Sequence, residues 1–162
     1  MIWMKIRLFA IGKIKENYLK EGIKEYLDRL KPYVNVEIIE VNDSSIRDPF
    51  NQSEINKAIE VEGDKVLNLL KPNDYLIALD LNKKQLTSEE FSTYLIDKIE
   101  QNGSQINFVI GGSYGLSNKL KDRANDSISL SKMTYLHQMT RLILLEQIYR
   151  AFKIYRNETY HK

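Results

Sequence analysis

The amino-acid sequence contains no cysteine and only two histidines among its 162 residues. Without cysteine, the chain can form no disulfide, no thiolate metal site and no cysteine nucleophile. The two histidines, His137 and His161, do not have the spacing of metal ligands, so we expect no metal. No apolar run reaches the roughly 20 residues of a membrane-spanning helix, and we expect no membrane partner.

The chain also has little net charge of either sign, and its first residues are not expected to be a secretion signal. Lys5, Arg7 and Lys13 interrupt the first segment, so a cytoplasmic location is expected. A net charge of +2 is too small to indicate a nucleic-acid partner by itself. From residue 132 onward, six basic residues accompany two acidic ones and could meet phosphates, although an ordinary solvated helix face is the simpler interpretation. The six are Lys132, Arg141, Arg150, Lys153, Arg156 and Lys162.

What is present is an alternation of short apolar runs and amphipathic segments. The apolar runs predict strands over 5–11, 34–41, 74–81, 106–110 and 127–130. Apolar residues spaced by threes and fours predict helices over 13–30, 53–70, 87–101 and 136–155, with Ser53 as one N-cap and Thr87 and Glu90 as a capping box. Residues 42–52, with Pro49, are expected to form a loop. Residues 1–162 are therefore expected to form one α/β domain with a mostly parallel sheet and helices on both faces.

The most informative segment is Phe-Val-Ile-Gly-Gly-Ser-Tyr-Gly-Leu at 108–116. An apolar strand enters a glycine-rich turn there, and glycine lets a ligand approach the backbone because no Cβ intervenes. The segment is neither a Rossmann fingerprint nor a P-loop. In open α/β sheets, ligands bind outside the carboxyl ends of the strands. The turn is thus either the place of a cofactor or a tight turn without a ligand.

Two further segments are candidates for the same site. Leu79 and Asp80 lie at the carboxyl end of a predicted strand, and residues 130–135 open the last helix. The latter segment combines free backbone groups with apolar side chains, which suits an adenine and a thioether better than a triphosphate. A plain connecting loop is the alternative.

The last helix is apolar around most of its circumference, which indicates a subunit interface in addition to a core face. Glu146 and Arg150 are four residues apart and could form an ion pair; alternatively, Arg150 faces a phosphate or orients a substrate. The final Tyr160, His161 and Lys162 could stack on a base, move a proton and hold a phosphate. As a chain terminus, they could equally be disordered.

Several of these segments together resemble one known family. They are residues 12–15, 108–116, 130–138 (Leu-Ser-Lys-Met-Thr-Tyr-Leu-His-Gln), 141–154 and the final Tyr-His-Lys. The sequence resembles the RlmH family of SPOUT-class methyltransferases, which act on a pseudouridine of large-subunit ribosomal RNA. The resemblance begins at Met4, and it departs from the family at Leu136, where proline is frequent.

This resemblance implies a deep trefoil knot near the C-terminus and a homodimer with its cofactor pockets next to the interface. It implies transfer of a methyl group from S-adenosylmethionine to ring position 3 of a pseudouridine in 23S ribosomal RNA. The carried-over cofactor residues are Leu79, Gly111, Leu130, Ser131, Lys132, Met133, Thr134 and Tyr135. Candidates for the base or for orienting the substrate are His161, Tyr160 and Arg150, with His137 a weaker one.

Two rival functions stay open on the sequence alone: a related methyltransferase acting on transfer RNA, and a nucleotide-binding module without chemistry. Two expectations concern variants. A side chain at Gly111 should block the cofactor while leaving the fold intact. Removal of Tyr160, His161 and Lys162 should leave the stability nearly unchanged, because termini contribute little to a core.

Overall fold

The computed structural model describes residues 3–44 and 51–162 and contains a five-stranded sheet in the order β2-β1-β4-β3-β5. Every strand pair in it is parallel. The predicted α/β class is therefore confirmed, and the described sheet is parallel throughout. The elements are β1 (Lys5–Ile11), α1 (Asn17–Leu30), β2 (Asn35–Val41), α2 (Gln52–Leu67), β3 (Leu76–Gln85), α3 (Ser88–Gln101), β4 (Gln105–Ile110), α4 (Asn118–Arg123), β5 (Asp126–Ser129) and α5 (His137–Tyr155).

Helices cover both faces of the sheet, as the alternating pattern predicted. Ile6 and Leu8 of β1 point to the face covered by α1, α3 and α5. Phe9 and Ile11 point to the opposite face, where α2 and α4 pack. Successive strand residues alternate between faces, so each strand contributes to two apolar cores. Within the described residues, no helix is both long and apolar enough to cross a membrane.

Several boundaries differ from the sequence-based expectation. Helix α1 begins at Asn17 rather than at residue 13. Helix α2 is capped by Asn51, whose side chain accepts a hydrogen bond from the Glu54 backbone N–H at 2.9 Å, so Ser53 is not the cap. Ser53 is only the second residue inside the helix. The loop predicted over 42–52 falls largely on residues 45–50, which lie outside the described residues.

The helix α4 was not predicted, because six residues are too few for a periodic apolar pattern. Ser117 caps it by accepting a hydrogen bond from the Leu120 backbone N–H. The predicted capping box of α3, by contrast, is confirmed: Thr87 and Glu90 bond reciprocally at 3.0 and 2.9 Å. The main consequence of α4 is that it carries a charged side chain to the carboxyl edge of the sheet.

Helix α5 returns the chain from the edge of the sheet to its middle. Strand β5 pairs with β3 at that edge, and α5 then packs against both α1 and α3. Its buried side includes Leu144, Leu145, Ile148 and Phe152. Several apolar residues on its other sides are only half-buried. The apolar residues around α5 therefore form a core face and a second, accessible face.

Candidate functional site

A cleft of about 610 Å³ lies at the carboxyl ends of β4 and β5 and beside the middle of β3. The glycine turn after β4 and the loop after β5 both line it. Seven of the eight carried-over cofactor residues line it, and Lys132 belongs to the same loop without lining the cleft. The seven are Leu79, Gly111, Leu130, Ser131, Met133, Thr134 and Tyr135.

The glycine turn folds so tightly that its backbone leaves no room for a side chain at Gly111. A Cβ built on Gly111 would lie 2.7 Å from the carbonyl carbon of Gly115 and 2.8 Å from its oxygen. Gly115 has a φ of +88°, and its N–H donates to the Gly112 carbonyl at 3.1 Å. The expectation that a side chain at Gly111 leaves the fold intact is therefore wrong, because the turn itself must open first.

The loop of residues 130–135 is held in place by two serine side chains. Ser129 donates its hydroxyl to the Ser131 carbonyl at 2.7 Å, and the Ser131 hydroxyl accepts the Met133 backbone N–H at 3.0 Å. Met133 is 74% exposed although it is apolar. Short side chain-to-backbone bonds thus fix the loop while an apolar side chain stays available at the rim of the cleft.

The cleft contains few charges. Asp80 faces Lys121 of α4 at 3.9 Å. The expectation that Leu79 and Asp80 end their strand is wrong, because β3 continues to Gln85. Burial, together with the nearby Arg141 cation, lowers the pKa of His137, so this imidazole is neutral at pH 7. Sequence reasoning missed Lys121 because α4 was not predicted, and it ranked His137 below the tail residues.

Behind the glycine turn lies a buried carboxyl group that the sequence reasoning also missed. Glu62 of α2 is 6% exposed and accepts the Ser44 backbone N–H at 2.8 Å. Its other oxygen lies 3.7 Å from the position of a Cβ built on Gly112. Burial raises the pKa of Glu62. The signal in the sequence was a glutamate in register with Ala58 and Val66 on the buried face of α2.

The three tail and helix candidates lie away from the cleft of their own chain. Tyr160 packs edge-on against Tyr149, with ring centroids 4.8 Å apart, and donates its hydroxyl to Glu146 at 3.1 Å. Tyr26 donates in turn to the Tyr160 oxygen at 3.1 Å. The tail is therefore docked on α1 and α5, and the assumption that it contributes nothing to packing is wrong.

Arg150 and His161 belong to the same network. Arg150 donates to Glu146 at 3.0 Å, which confirms the predicted ion pair, and to Nδ1 of His161 at 3.0 Å. An arginine can only donate, so Nδ1 accepts and the neutral imidazole carries its proton on Nε2, which donates to Glu89 at 2.6 Å. Burial and the Tyr26 hydroxyl raise the pKa of Tyr160, so its phenol stays protonated.

An open parallel sheet with a ligand-sized cleft outside its carboxyl ends is typical of α/β proteins that bind a nucleotide-like cofactor. A family described as "Predicted SPOUT methyltransferase" matches residues 4–161 of this chain. Proteins named ribosomal RNA large subunit methyltransferase H are 50% identical in Carboxydothermus hydrogenoformans and 48% identical in Halothermothrix orenii. Each match covers 98% of this chain and 100% of the relative.

Solved structures show the same fold at low identity. A putative methyltransferase from Legionella pneumophila, whose structure contains the bound cofactor SAM, has a TM-score of 0.53 at 12% identity over 92% of this chain. A probable methylase family protein from Haemophilus influenzae has a TM-score of 0.51 at 13% identity over 94% of this chain. The present chain spans 66% of the length of each. The chain belongs to the SPOUT methyltransferases, and within them to the family of ribosomal RNA large subunit methyltransferase H.

Proposed function

We propose that this chain transfers a methyl group from S-adenosylmethionine to ring position 3 of a pseudouridine in 23S ribosomal RNA. The identity of about half of its residues with methyltransferase H proteins over their whole length supports this activity. The proposed site is the cleft at the carboxyl ends of β4 and β5, beside the middle of β3. The enzyme would act in the cytoplasm on the large subunit or on assembled ribosomes.

The residues of the cleft fit S-adenosylmethionine. A volume of about 610 Å³ is within the usual range of small-molecule sites, roughly 300–1,000 Å³. Leu79, Leu130 and Met133 supply an apolar lining, and the backbone of the glycine turn can approach a ligand closely. Among the described residues, no group of acidic or histidine side chains could hold a metal ion. The single pair of Asp80 and Lys121 leaves the cleft close to neutral.

S-adenosylmethionine supplies an activated methyl group on a sulfonium, so the protein needs alignment and proton removal rather than a nucleophile. The walls of the cleft would hold the two reactants in line, which can contribute roughly 7–11 kcal/mol. The imide N–H of the pseudouridine must lose its proton as the new N–CH₃ bond forms. Neutral His137, which lines the cleft, is one candidate to accept that proton. The other is His161, with Arg150 and Tyr160 orienting it, and its Nδ1 can accept a proton once Arg150 has released this nitrogen.

We further propose that the active enzyme is a homodimer and that its site is composite. Met139 and Ile143 of α5 and Leu136 just before it share one side and remain exposed or half-buried. The cleft-lining Thr140 and the tail-binding Arg150 are ten residues apart, about 15 Å along the helix. A two-fold axis crossing α5 between them would bring the tail of one copy to the cleft of the other.

We also propose a trefoil knot near the C-terminus, because the chain belongs to the SPOUT methyltransferases. After β5 at the sheet edge, the chain returns beneath β4 to pack between α1 and α3. Stretching single molecules by their ends tests it. A knotted chain stops short of the full contour length of about 3.3–3.6 Å per residue, whereas an unknotted chain reaches it.

The activity is tested with methyl-labelled S-adenosylmethionine and ribosomes from cells that lack the modification. We expect label in the large-subunit RNA, mapped by mass spectrometry to N3 of a pseudouridine. Thr134→Trp, which fills the cleft from an exposed loop position, is the matched inactive control. Label in transfer RNA alone would indicate the transfer-RNA enzyme. Cofactor binding without label in any RNA would indicate a non-catalytic module.

A further inference from the structure

Most of the C-terminal basic residues, which the sequence suggested as phosphate contacts, interact with other side chains of the fold. Arg141 pairs with Glu40 at 2.6 Å, and Lys153 pairs with Glu158 at 3.0 Å. Arg150 is held by Glu146, and Arg156 lies over the ring of Tyr33 with its guanidinium carbon 4.7 Å from the ring centroid. Four of the six cations therefore have partners already, which favours another surface as the main source of positive charge for a polyanionic substrate.

Such a surface lies in a hollow of about 490 Å³ between α1 and β2. Four cationic side chains and one carboxylate line it, which are Lys13, Lys20, Lys24, Arg141 and Glu40. Within residues 3–44 and 51–162, no salt bridge includes any of the three lysines. All three are exposed, so their charges are available to a ligand.

The floor of the hollow is formed by Arg141, a charged side chain that is unusual in a buried position. Arg141 is 3% exposed and donates to the Gly12 carbonyl at 3.3 Å in addition to its bond with Glu40. Its Nε has no hydrogen-bond partner among the described residues. Arg141 and Glu40 offset each other, so the three lysines leave the hollow positive. Within the described part of the chain, the Nε–H of the buried guanidinium remains an unused hydrogen-bond donor at its floor.

The hollow adjoins the cleft. Arg141 lies one helical turn after His137, which lines the cleft, and a Cβ built on Gly12 would be 3.9 Å from His137 Nε2. Lys13 follows Gly12, and its carbonyl accepts a hydrogen bond from Gln138 at 3.1 Å. The first turn of α5 and residues 12–13 therefore separate the two cavities by about one helical turn, roughly 5–6 Å.

Resting on the proposed function, we propose that this hollow binds phosphates of the ribosomal RNA strand next to the nucleotide that enters the cleft. A nucleotide in the cleft carries its neighbouring phosphates with it, and the hollow is the adjoining cavity. Lys20 and Lys24 are four residues apart on α1, so they face the strand together about 6 Å apart. Lysines without partners attract any backbone phosphate, so this surface adds affinity and orientation without reading sequence.

The test measures binding of a fluorescent single-stranded RNA oligonucleotide as a function of salt. Each phosphate contact on a single strand contributes about 0.7 to the slope of log K against log salt. K20Q/K24Q should therefore make the negative slope shallower by about 1.4, and K20R/K24R should keep the wild-type slope. The matched control is K57Q/K71Q, which removes two exposed charges outside the hollow and should leave the slope unchanged.

Methyl transfer to ribosomes supplies the second measurement. K20Q/K24Q should raise the KM for ribosomes while kcat and the affinity for S-adenosylmethionine stay at wild-type values. An unchanged slope and KM would overturn the proposal, as would an equal loss in the control variant. A change in sedimentation for K20Q/K24Q would assign the hollow to the subunit interface instead. Because RNA binding is measured without catalysis, a wild-type chain that binds RNA but transfers no methyl would refute the activity and leave this surface standing.

Discussion

Removing Tyr160, His161 and Lys162 should destabilise the fold. The edge-on pair of Tyr160 and Tyr149 contributes roughly 0.5–1.5 kcal/mol. The half-buried hydroxyl bonds with Tyr26 and Glu146 contribute roughly 1 kcal/mol each. Allowing for the entropy regained by a free terminus, we expect a loss of about 2–3 kcal/mol.

For a domain of this length, that loss lowers the melting temperature by about 4–12 °C. Differential scanning calorimetry on the truncated chain measures it. Removing the exposed Lys162 alone is the control and should change little, whereas Tyr160→Phe removes both hydroxyl bonds and should cost about 2 kcal/mol. A truncated chain that melts at the wild-type temperature would show that the docked tail contributes nothing to stability.

Three further substitutions test the region around the cleft. Gly111→Ala should reduce both cofactor affinity and stability, because its Cβ meets the Gly115 backbone; calorimetry that finds only the affinity reduced would contradict this. Glu62→Gln should stabilise the protein at pH 7. Burial raises the pKa of the Glu62 carboxyl in the folded protein, so its contribution to the stability of the wild-type chain is fully present below about pH 4.5 and is lost as rising pH ionises this group. Urea unfolding should show that the advantage of the glutamine variant at pH 7 disappears below about pH 4.5. Leu136→Pro should be tolerated or stabilise by about 0.4–1 kcal/mol, because the φ of −54° fits proline and the side chain is 53% exposed; a clear loss in thermal melting would refute this.

The periodic apolar patterns predicted the strands, the longer helices and the capping box, which all depend on local sequence. The strands were recognisable as apolar runs. Helices α1, α3 and α5 were recognisable as amphipathic or apolar helices, because each buries a face against the sheet. The capping box at Thr87 was predictable because both of its bonds are local. The short α4 was not predictable, and Lys121 was missed with it. A residue delivered by a six-residue helix leaves no periodic signal.

The cleft was easier to predict than the tail. Residues 111 and 130–135 follow strand ends, and parallel strands bring their carboxyl ends to one edge of the sheet. Lys132 shows the limit of this reasoning, because position in a loop does not determine which side chain faces the cleft. The docking of Tyr160 depends on Tyr26, which is 134 residues away in sequence. Contacts of that range have no local pattern, so a terminus that packs looks the same as one that is disordered.

The separation of cleft and tail along α5 leads to a test of the composite site. In a single chain, Thr134 lines the cleft while His161 is bonded to Arg150 and Glu89 elsewhere. We expect Thr134→Trp to block cofactor binding, and we expect His161→Ala to reduce methyl transfer roughly 100-fold if this imidazole accepts the proton.

If each site takes its cleft from one copy and its tail from the other, mixing the two inactive variants restores activity. Half of the randomly assorted dimers then combine both variants, and each of these has one site with an intact cleft and an intact tail. The expected recovery is about a quarter of the wild-type rate, since one of two sites works in half of the dimers. Single-turnover rates on ribosomes, measured after the variants are mixed and left to exchange subunits, provide the readout. A mixture that stays as inactive as its components, although sedimentation and mass spectrometry detect the mixed dimer, would place the cleft and the tail of each site in the same chain.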